Sequence, residues 1–482
     1  MSHTEKSKTG RDTLGKIITA GLLVAIAFTA LAHGTVEPWS VMLFELIILA
    51  LLMLWAVKVV VDKKLKLTVP QAALPIAALG AVALAQSVSF TNSAGERWSL
   101  SFDVEATRRT LTVLVFLLIS FVMAANLFAS RRRMATLSGF LIMFGFALAV
   151  FALIQHYTWN GKFYWFRPNT VSTSPFGPFV NHNHFAGYME LLIPIPIALA
   201  ITQAVRGETR LLYGFAASVM GIAAVASLSR GGIISIIASL IFLVVLSARL
   251  PKRDHVSSSH DFRNKRGLSL IFARLMSAHP FAVRGAIVLA VAAIIALGMF
   301  WLGPDALVER IAKGQPAAQG QQESALFSNR AWVWRDTLTM IQSNPIVGVG
   351  LGAYDTAFSI YTKSDGSLRV PQAHNDYLQV IADCGIVGGV IAVWFLIILF
   401  RAIGRGIRSR DPLLSGITLG GGAGIFAMLI HSLFDFNLQL PSNALLFLVL
   451  VASVSYVAQT VDETEAAQLK ASEREVEKAI SA

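Results

Sequence analysis

The sequence is short of charged residues, and this shortage is the first property that constrains its fold. Asp, Glu, Lys and Arg make up 14% of the 482 residues, whereas soluble domains contain about a quarter. Hydrophobic residues make up 55% of the chain. They form uninterrupted runs of about 20 residues, the length at which a helix crosses a bilayer, without the alternation of barrel strands. The composition therefore predicts an all-α integral membrane protein.

Cysteine and nucleotide-binding motifs are also scarce. The single cysteine, Cys384, excludes an intrachain disulfide, and we interpret it as a packing residue, with a reactive thiol as the alternative. We find no Walker motif, dinucleotide fingerprint, Cys/His zinc spacing or Gly-x-Ser-x-Gly elbow. If the protein uses an activated donor, that donor is therefore expected to come with the membrane.

Acidic residues are fewer than basic ones: the chain has 28 Asp and Glu and 40 Lys and Arg, so its net charge is +12. In a soluble protein such a balance would suggest nucleic acid. Here the basic residues sit at the ends of apolar runs, as the positive-inside rule describes, and no nucleic-acid motif accompanies them. We expect no nucleic-acid partner.

The apolar runs predict about twelve membrane spans, at 15–33, 38–60, 72–90, 110–129, 135–155, 184–204, 211–229, 231–249, 284–303, 385–403, 413–433 and 441–459. The first run follows several basic residues and ends Ala30-Leu31-Ala32, which mimics a secretory signal. We interpret it as an uncleaved span.

Lysine and arginine cluster in alternate loops, and this predicts the orientation. The basic loops all fall on the cytoplasmic side if both termini are cytoplasmic. The predicted organisation is nine spans over 1–303 with a basic cytoplasmic loop at 250–283, an outer loop at 304–384, three spans over 385–460 and a cytoplasmic tail at 461–482. The outer loop has helix-like stretches and turn glycines, so we expect it to be folded.

A shorter outer segment, at about 156–183, is rich in aromatic residues, among them Trp159, Tyr164, Trp165 and Phe166. Aromatic side chains are common at membrane interfaces. Stacking on sugar rings is the alternative.

Arg230 stands in a very short outer turn between two apolar runs and breaks the charge pattern. An arginine so close to hydrocarbon is costly unless it is paired or hydrated. It either snorkels to the interface or binds an anion. In the second case the helix opened by Gly231 and Gly232 would direct its N–H groups at the same anion.

Arg330 and Arg335 lie in the outer loop, five residues apart. On a helix this offset is about 140°, so the two do not share a face. We expect one arginine to bind a ligand and the other to form an ion pair, for example with Asp336 or Asp305. A guanidinium suits a diphosphate because its planar fork donates paired hydrogen bonds.

His374 lies in the same loop, just before a span. An imidazole can take a proton from a hydroxyl near neutral pH. A structural role is the alternative, and the arginines that share its loop favour the functional one.

Other polar residues near span ends remain open. His182 and His184 are two residues apart and do not face one ligand, so a cavity lining is favoured over a metal site. His431 and Asp435 form an i, i+4 pair that could hydrogen-bond, as support for the site or as helix pinning. Glu45 falls inside the second span with no partner that the sequence identifies.

Motifs that occur in order along the chain resemble those of the O-antigen ligase and polymerase family. They are Ser229-Arg230-Gly231-Gly232, Asn329-Arg330 through Trp334, Asn344-Pro345-Ile346-Val347-Gly348-Val349-Gly350, His374-Asn375-Asp376-Tyr377-Leu378 and Gly385-Ile386-Val387-Gly388. The twelve-span layout and the large outer loop between spans nine and ten match as well. The runs 181–184 and 431–441 look like features of some, polymerase-like members.

The resemblance implies a GT-C-like membrane glycosyltransferase of the bacterial inner membrane with a periplasmic active site. Such enzymes transfer glycan from undecaprenyl diphosphate without a metal or other cofactor. His374 matches the family's loop histidine, proposed as the base, and Arg230 and Arg330 match arginines proposed to hold the diphosphate. Arg335 has no firm match.

The resemblance leaves the acceptor open. Lipid A-core would make the protein a ligase, and another lipid-linked glycan would make it an O-antigen or exopolysaccharide polymerase. A protein acceptor, as in an O-oligosaccharyltransferase, is a third variant. Outside the family, a transporter of lipid-linked sugars would place ionisable residues and broken helices near the membrane midplane.

Overall fold

The computed structural model describes residues 3–64, 67–91, 93, 97–169, 174–205, 207–251, 280–302, 330–363 and 369–481. Most of the predicted cytoplasmic loop at 250–283 and the first part of the outer loop, 303–329, lie outside these residues. Asp305, one of the predicted partners of Arg335, lies outside them too.

Helices make up most of the described chain and are numbered here in order. They are α1 His3–Leu31, α2 Pro38–Asp62, α3 Ala73–Gln86, α4 Val104–Leu127, α5 Arg131–Tyr157, α6 His182–Leu192, α7 Pro194–Ile201, α8 Glu208–Ala226, α9 Arg230–Ser247, α10 Pro280–Leu302, α11 Arg330–Ser343, α12 Tyr354–Tyr361, α13 Asp376–Gly406, α14 Pro412–His431 and α15 Pro441–Ser481. The predicted all-α integral membrane fold is confirmed.

Eleven segments of the described chain are long and apolar enough to cross a membrane. The predicted span at 72–90 is the exception, because α3 has 14 residues and is shorter than the rest. The predicted span at 184–204 is a broken one, in which α6 and α7 follow each other around Ile193 and Pro194. The span predicted at 385–403 begins earlier, at Asp376, and bends at Gly385, whose φ is +61°.

Polar side chains fix several helix starts. The side-chain oxygens of Asp103, Ser130, Asn181, Ser229, Asn375 and Asp411 accept backbone N–H groups of the turns that follow. Each supplies an acceptor for donors that a helix leaves unsatisfied at its first turn. The sequence therefore determines locally where the site-bearing helices α6, α9 and α13 begin.

The centre of the bundle is formed by α7 and α14. All residues of α7 are buried, and a Cβ on Gly420 of α14 would lie 2.7 Å from the Cα of Ile195. Small residues let membrane helices approach this closely and gain contact energy, since lipid tails are as apolar as the helices.

The described part of the predicted outer loop, residues 330–363 and 369–384, is folded. Its helices α11 and α12 pack around a small apolar core that includes Val333, Met340 and Tyr354. Gly348, Gly350 and Gly352 all have positive φ. The loop is fastened to the bundle because Gly352 donates to the Asp383 carboxylate at 3.1 Å and Leu351 donates to the Gln86 side chain at 2.9 Å.

Strands are few and short in the described residues. Ser89–Thr91 pairs antiparallel with Arg97–Ser99, with Phe90 opposite Trp98. Lys162–Phe163 pairs antiparallel with Arg167–Pro168. We call the second pair the aromatic hairpin.

Several helix ends meet at one end of the bundle. His33 contacts the Pro178 carbonyl, Asp376 donates to the Ser432 carbonyl, and Ser442 donates to the Gly34 carbonyl. The turns before α2, α6, α13 and α15 are therefore adjacent. We call this end the site end.

Candidate functional site

The residues that follow α14 organise the site end. This segment, His431 to Asn443, contains the 3₁₀ turn Asn437–Gln439 and leads into α15. Its polar residues other than the exposed Gln439 are almost completely buried, namely His431, Ser432, Asp435, Asn437, Ser442 and Asn443. We call it the 431–443 segment.

His374 pairs with Asp435 of this segment. The distance from Nδ1 to Oδ1 is 3.3 Å, and the two side chains are 12% and 2% exposed. Burial by itself raises the pKa of the Asp435 carboxyl, but the hydrogen bond from His374 and the charges of His374, Arg330 and His184 hold this pKa well below its ordinary value. Asp435 is therefore a carboxylate at neutral pH, and His374 donates Nδ1–H to it.

The residues after His374 hold it against the 431–443 segment. Asn375 caps α13 and its amide donates to the Leu433 carbonyl at 3.1 Å. The Asp376 carboxylate accepts the Ser432 hydroxyl at 2.8 Å, and the Tyr377 hydroxyl donates to the Leu429 carbonyl at 2.8 Å. The motif His374-Asn375-Asp376-Tyr377 thus serves as an attachment of the outer loop as well as a carrier of the imidazole.

His374 itself has a φ of +49°, a left-handed conformation that residues other than glycine rarely adopt. The turn is held on the loop side too, because Trp334 donates to the Ala373 carbonyl at 3.0 Å and Ala373 donates to the Gln379 side chain at 2.7 Å. Strained conformations of this kind persist only where the surroundings impose them.

Arg330 reaches the same segment from the outer loop. It is the first residue of α11, and its guanidinium donates to the Phe434 carbonyl. Phe434 directly precedes Asp435. The structure therefore brings His374 and Arg330, two site residues predicted from the sequence, to neighbouring positions.

Arg230 opens α9 and is exposed. The predicted helix start is confirmed, and Ser229 caps it by accepting Gly232 N–H at 3.1 Å. One of the N–H groups expected to face an anion is thus used by the cap. The neighbouring Gly231 lies against His431, since a Cβ there would be 2.8 Å from its ring atoms Cδ2 and Nε2. The α9 start therefore adjoins the 431–443 segment.

We expect Gly231→Ala to lower activity by about tenfold or more while the protein still inserts into the membrane. An added methyl group at 2.8 Å overlaps the buried His431 ring, so the ring or the start of α9 must shift, at a cost of about 1–3 kcal/mol. The measurement is the initial rate of the glycan transfer that the family resemblance implies, with purified protein. Gly214→Ala is the matched control, because a Cβ there meets no atom within 4 Å; equal rates for both variants would contradict the close packing.

The described contacts of Arg335 do not place it at the 431–443 segment. Its guanidinium pairs with the Asp336 carboxylate at 3.2 Å and is 65% exposed, whereas Asp336 is 1% exposed. The predicted pairing with Asp336 is present. Because Asp336 also accepts Lys363 N–H at 3.1 Å, the pair ties α11 to the chain that follows α12.

The hydrogen bond that the spacing of His431 and Asp435 allowed is not formed between their side chains. The helix ends at His431, and the two side chains diverge: Asp435 pairs with His374, and the His431 Nδ1 contacts both oxygens of Glu190 at 3.1 Å. Sequence spacing could not reveal these partners, because both His374 and Glu190 lie far from the 431–443 segment in the chain. Glu45 is half-buried in α2.

The histidines of α6 also diverge, as their spacing predicts. The His182 ring contacts the Ser174 carbonyl at 3.2 Å, whereas the His184 ring packs edge-on against Phe436 with the centroids 4.9 Å apart. Among the described residues no group of three His, Cys, Asp or Glu side chains is arranged to hold a metal ion.

The aromatic hairpin is attached elsewhere on the site end. Tyr164 donates to the Leu31 carbonyl, and Arg167 pairs with Glu37 at 2.6 Å. Phe166 is 74% exposed. The hairpin therefore packs on the turn between α1 and α2.

Comparison with known proteins identifies the centre of the chain. The family model described as O-antigen ligase matches residues 215–393. This range includes Arg230, Arg330, Arg335 and His374, and ends before Asp435. No match was found among curated proteins. Residues 215–393 are therefore similar to the O-antigen ligase family, and the chain has the helices of a multi-pass membrane protein.

Proposed function

We propose that the protein is an inverting glycosyltransferase that moves a glycan from undecaprenyl diphosphate to an acceptor hydroxyl at the periplasmic face of the inner membrane. Its acceptor is lipid A-core, which makes it an O-antigen ligase in lipopolysaccharide biosynthesis. The observation that carries this proposal is the meeting of His374 and Arg330 on the 431–443 segment, in a chain whose residues 215–393 match the O-antigen ligase family model.

His374 acts as the general base. Because its Nδ1–H is directed at the Asp435 carboxylate, the neutral imidazole has its lone pair on Nε2, which takes the proton from the acceptor hydroxyl as that oxygen attacks the sugar. The positive charge that develops on the ring is stabilised by Asp435, which stays ionised. His374 later returns the proton to solvent or to the released diphosphate.

Arg330 and the α9 start stabilise the leaving group. As the bond between the anomeric carbon and the diphosphate oxygen breaks, negative charge grows on the diphosphate. The Arg330 fork, oriented by the Phe434 carbonyl, donates to that charge. Arg230 and the N–H groups of the first turn of α9 supply a second positive region. These cations supply the charge that a metal would otherwise provide, so we propose a metal-independent reaction.

The transport alternative is less well supported. The break between α6 and α7 resembles the discontinuous helices of transporters. However, α7 contains no ionisable side chain, and the polar residues cluster at the site end. A polymerase or a protein-glycosylating enzyme would use the same chemistry with another acceptor.

A reconstituted reaction tests the proposal. Purified protein is incubated with undecaprenyl-diphosphate glycan and lipid A-core, with and without EDTA, and the products are resolved on a gel. Transfer to the core that EDTA leaves unchanged supports a metal-independent ligase. Longer glycan on the carrier, with the core bare, indicates a polymerase instead. Modification of an added acceptor protein indicates the third variant. Inactivity with all acceptors beside an active control enzyme would overturn the proposal.

A further inference from the structure

His184 adjoins the pair of His374 and Asp435 without being part of it. It lies in the first turn of α6 and is 5% exposed. Its Nε2 has no hydrogen-bond partner among the described residues, and neither does the Oδ2 atom of Asp435. A buried polar atom without a partner costs roughly 1–3 kcal/mol, so two such atoms at one site need an explanation.

Phe436 connects the two imidazoles. Its ring centroid lies 4.9 Å from that of His184, with an interplanar angle of 75°, and 5.0 Å from that of His374, with an angle of 71°. Asp435 is the residue before Phe436. Both imidazoles therefore flank the same two residues of the 431–443 segment.

The backbone of His184 is also tied to this segment. The Asn443 amide donates to the His184 carbonyl at 3.1 Å and to the Asn437 side-chain oxygen at 3.1 Å. The Asn437 Nδ2 atom is a third buried atom that lacks a partner in the described chain. Together the three atoms offer one carboxylate acceptor, one amide donor and one imidazole nitrogen.

We propose that His184 is a positioning residue for the His374–Asp435 pair, linked to the second carboxylate oxygen of Asp435 through an ordered water. A buried water makes two to four hydrogen bonds, and the Asp435 Oδ2, the His184 Nε2 and the Asn437 Nδ2 supply three. The inference rests on the proposed function, in which His374 is the base.

The role follows from carboxylate geometry. Asp435 Oδ1 already accepts the Phe436 N–H at 3.0 Å, but rotation about the last torsion of the side chain is soft, so this one bond leaves room for either oxygen to turn toward His374. A hydrogen bond at Oδ2 keeps Oδ1 directed at the His374 Nδ1 and so keeps the lone pair on Nε2. Loss of the His184 Nε2 therefore lowers the fraction of enzyme with a correctly oriented base, which affects kcat more than KM.

Three variants of His184, made in the full-length protein in nanodiscs, distinguish a positioning role of this residue from a packing role. His184→Gln places an amide near the position of Nε2, His184→Asn is polar but too short to reach it, and His184→Phe keeps the ring against Phe436. We expect the Asn and Phe variants to lower kcat by about 10–100-fold, with donor KM within about twofold. We expect the Gln variant to stay within about fivefold of wild type.

Wild-type kcat in either the Asn or the Phe variant would overturn the inference, as would a Gln variant no better than Asn. The Asn and Gln pair stays informative if the Phe variant does not accumulate. His374→Ala in the same assay distinguishes the two levels of failure. If His374→Ala is active, the proposal that His374 is the base is wrong. If His374→Ala is inactive and His184→Asn is fully active, only the positioning role of His184 is wrong.

Discussion

His374→Ala is expected to abolish detectable transfer, a loss of about 10²–10⁴-fold or more in kcat, with a normal amount of protein in the membrane. The acceptor hydroxyl would attack without a base, and Asp435, buried and ionised, would lose its imidazole partner. The measurement is the initial rate of glycan transfer by purified variant and wild type at saturating donor, with the melting temperature recorded for both.

Asp435→Asn is the companion of this variant. An asparagine of the same size keeps the contact with His374 but offers its N–H₂ group to Nδ1, which favours the tautomer with the proton on Nε2. We expect it to lower kcat by at least about tenfold. His260→Ala, in the predicted cytoplasmic loop, is the matched histidine control and is expected to retain the wild-type rate. Full activity of purified His374→Ala would exclude His374 as the base.

Arg330→Lys is expected to lower kcat by about 10²–10³-fold, nearly as much as Arg330→Ala. Lysine keeps the charge but has no planar fork, so it cannot bond the Phe434 carbonyl and a diphosphate in the same geometry. The rate is measured with donor varied, since an arginine that acts on the leaving group affects kcat, whereas one that only binds the ground state affects KM.

Arg369→Lys provides the control for this pair. Arg369 lies in the same outer loop, is 82% exposed and pairs with Asp355, and exposed pairs contribute about 0–1 kcal/mol. We expect it to leave the rate within about twofold of wild type. If Arg330→Lys transferred glycan at the wild-type rate while Arg330→Ala did not, charge alone would suffice and the fork would have no role.

Local patterns were enough to predict the elements that carry the site. The start of α9 at Arg230, the folded outer loop and its turn glycines follow from short-range chemistry, namely helix capping, apolar periodicity and the conformations open to glycine. The same patterns gave wrong bounds for two predicted spans. The span at 72–90 is longer than α3, which ends at Gln86, and the span at 184–204 is divided into α6 and α7, where Pro194 and Pro196 interrupt one apolar run.

Partner identities could not be predicted this way. His431 and Asp435 have helical spacing, yet the helix ends at His431, and each side chain pairs with a residue that is distant in the chain. The sequence offered no clear reason to assign different roles to Arg330 and Arg335. Their contacts differ, because Arg335 donates to the carboxylate of its neighbour Asp336 whereas Arg330 donates to the Phe434 carbonyl.

The sequence by itself determined the membrane class, the order of spans, the family resemblance and the candidates His374, Arg230 and Arg330, because each depends on composition or on residues close in the chain. The tertiary structure alone decided that residues 184, 190, 330 and 374 converge on the 431–443 segment. That convergence depends on how helices pack across the bundle. Buried polar groups need hydrogen-bond partners, and the packing of the helices decides which groups are near enough to serve. The spacing of residues along the chain therefore does not predict these partners.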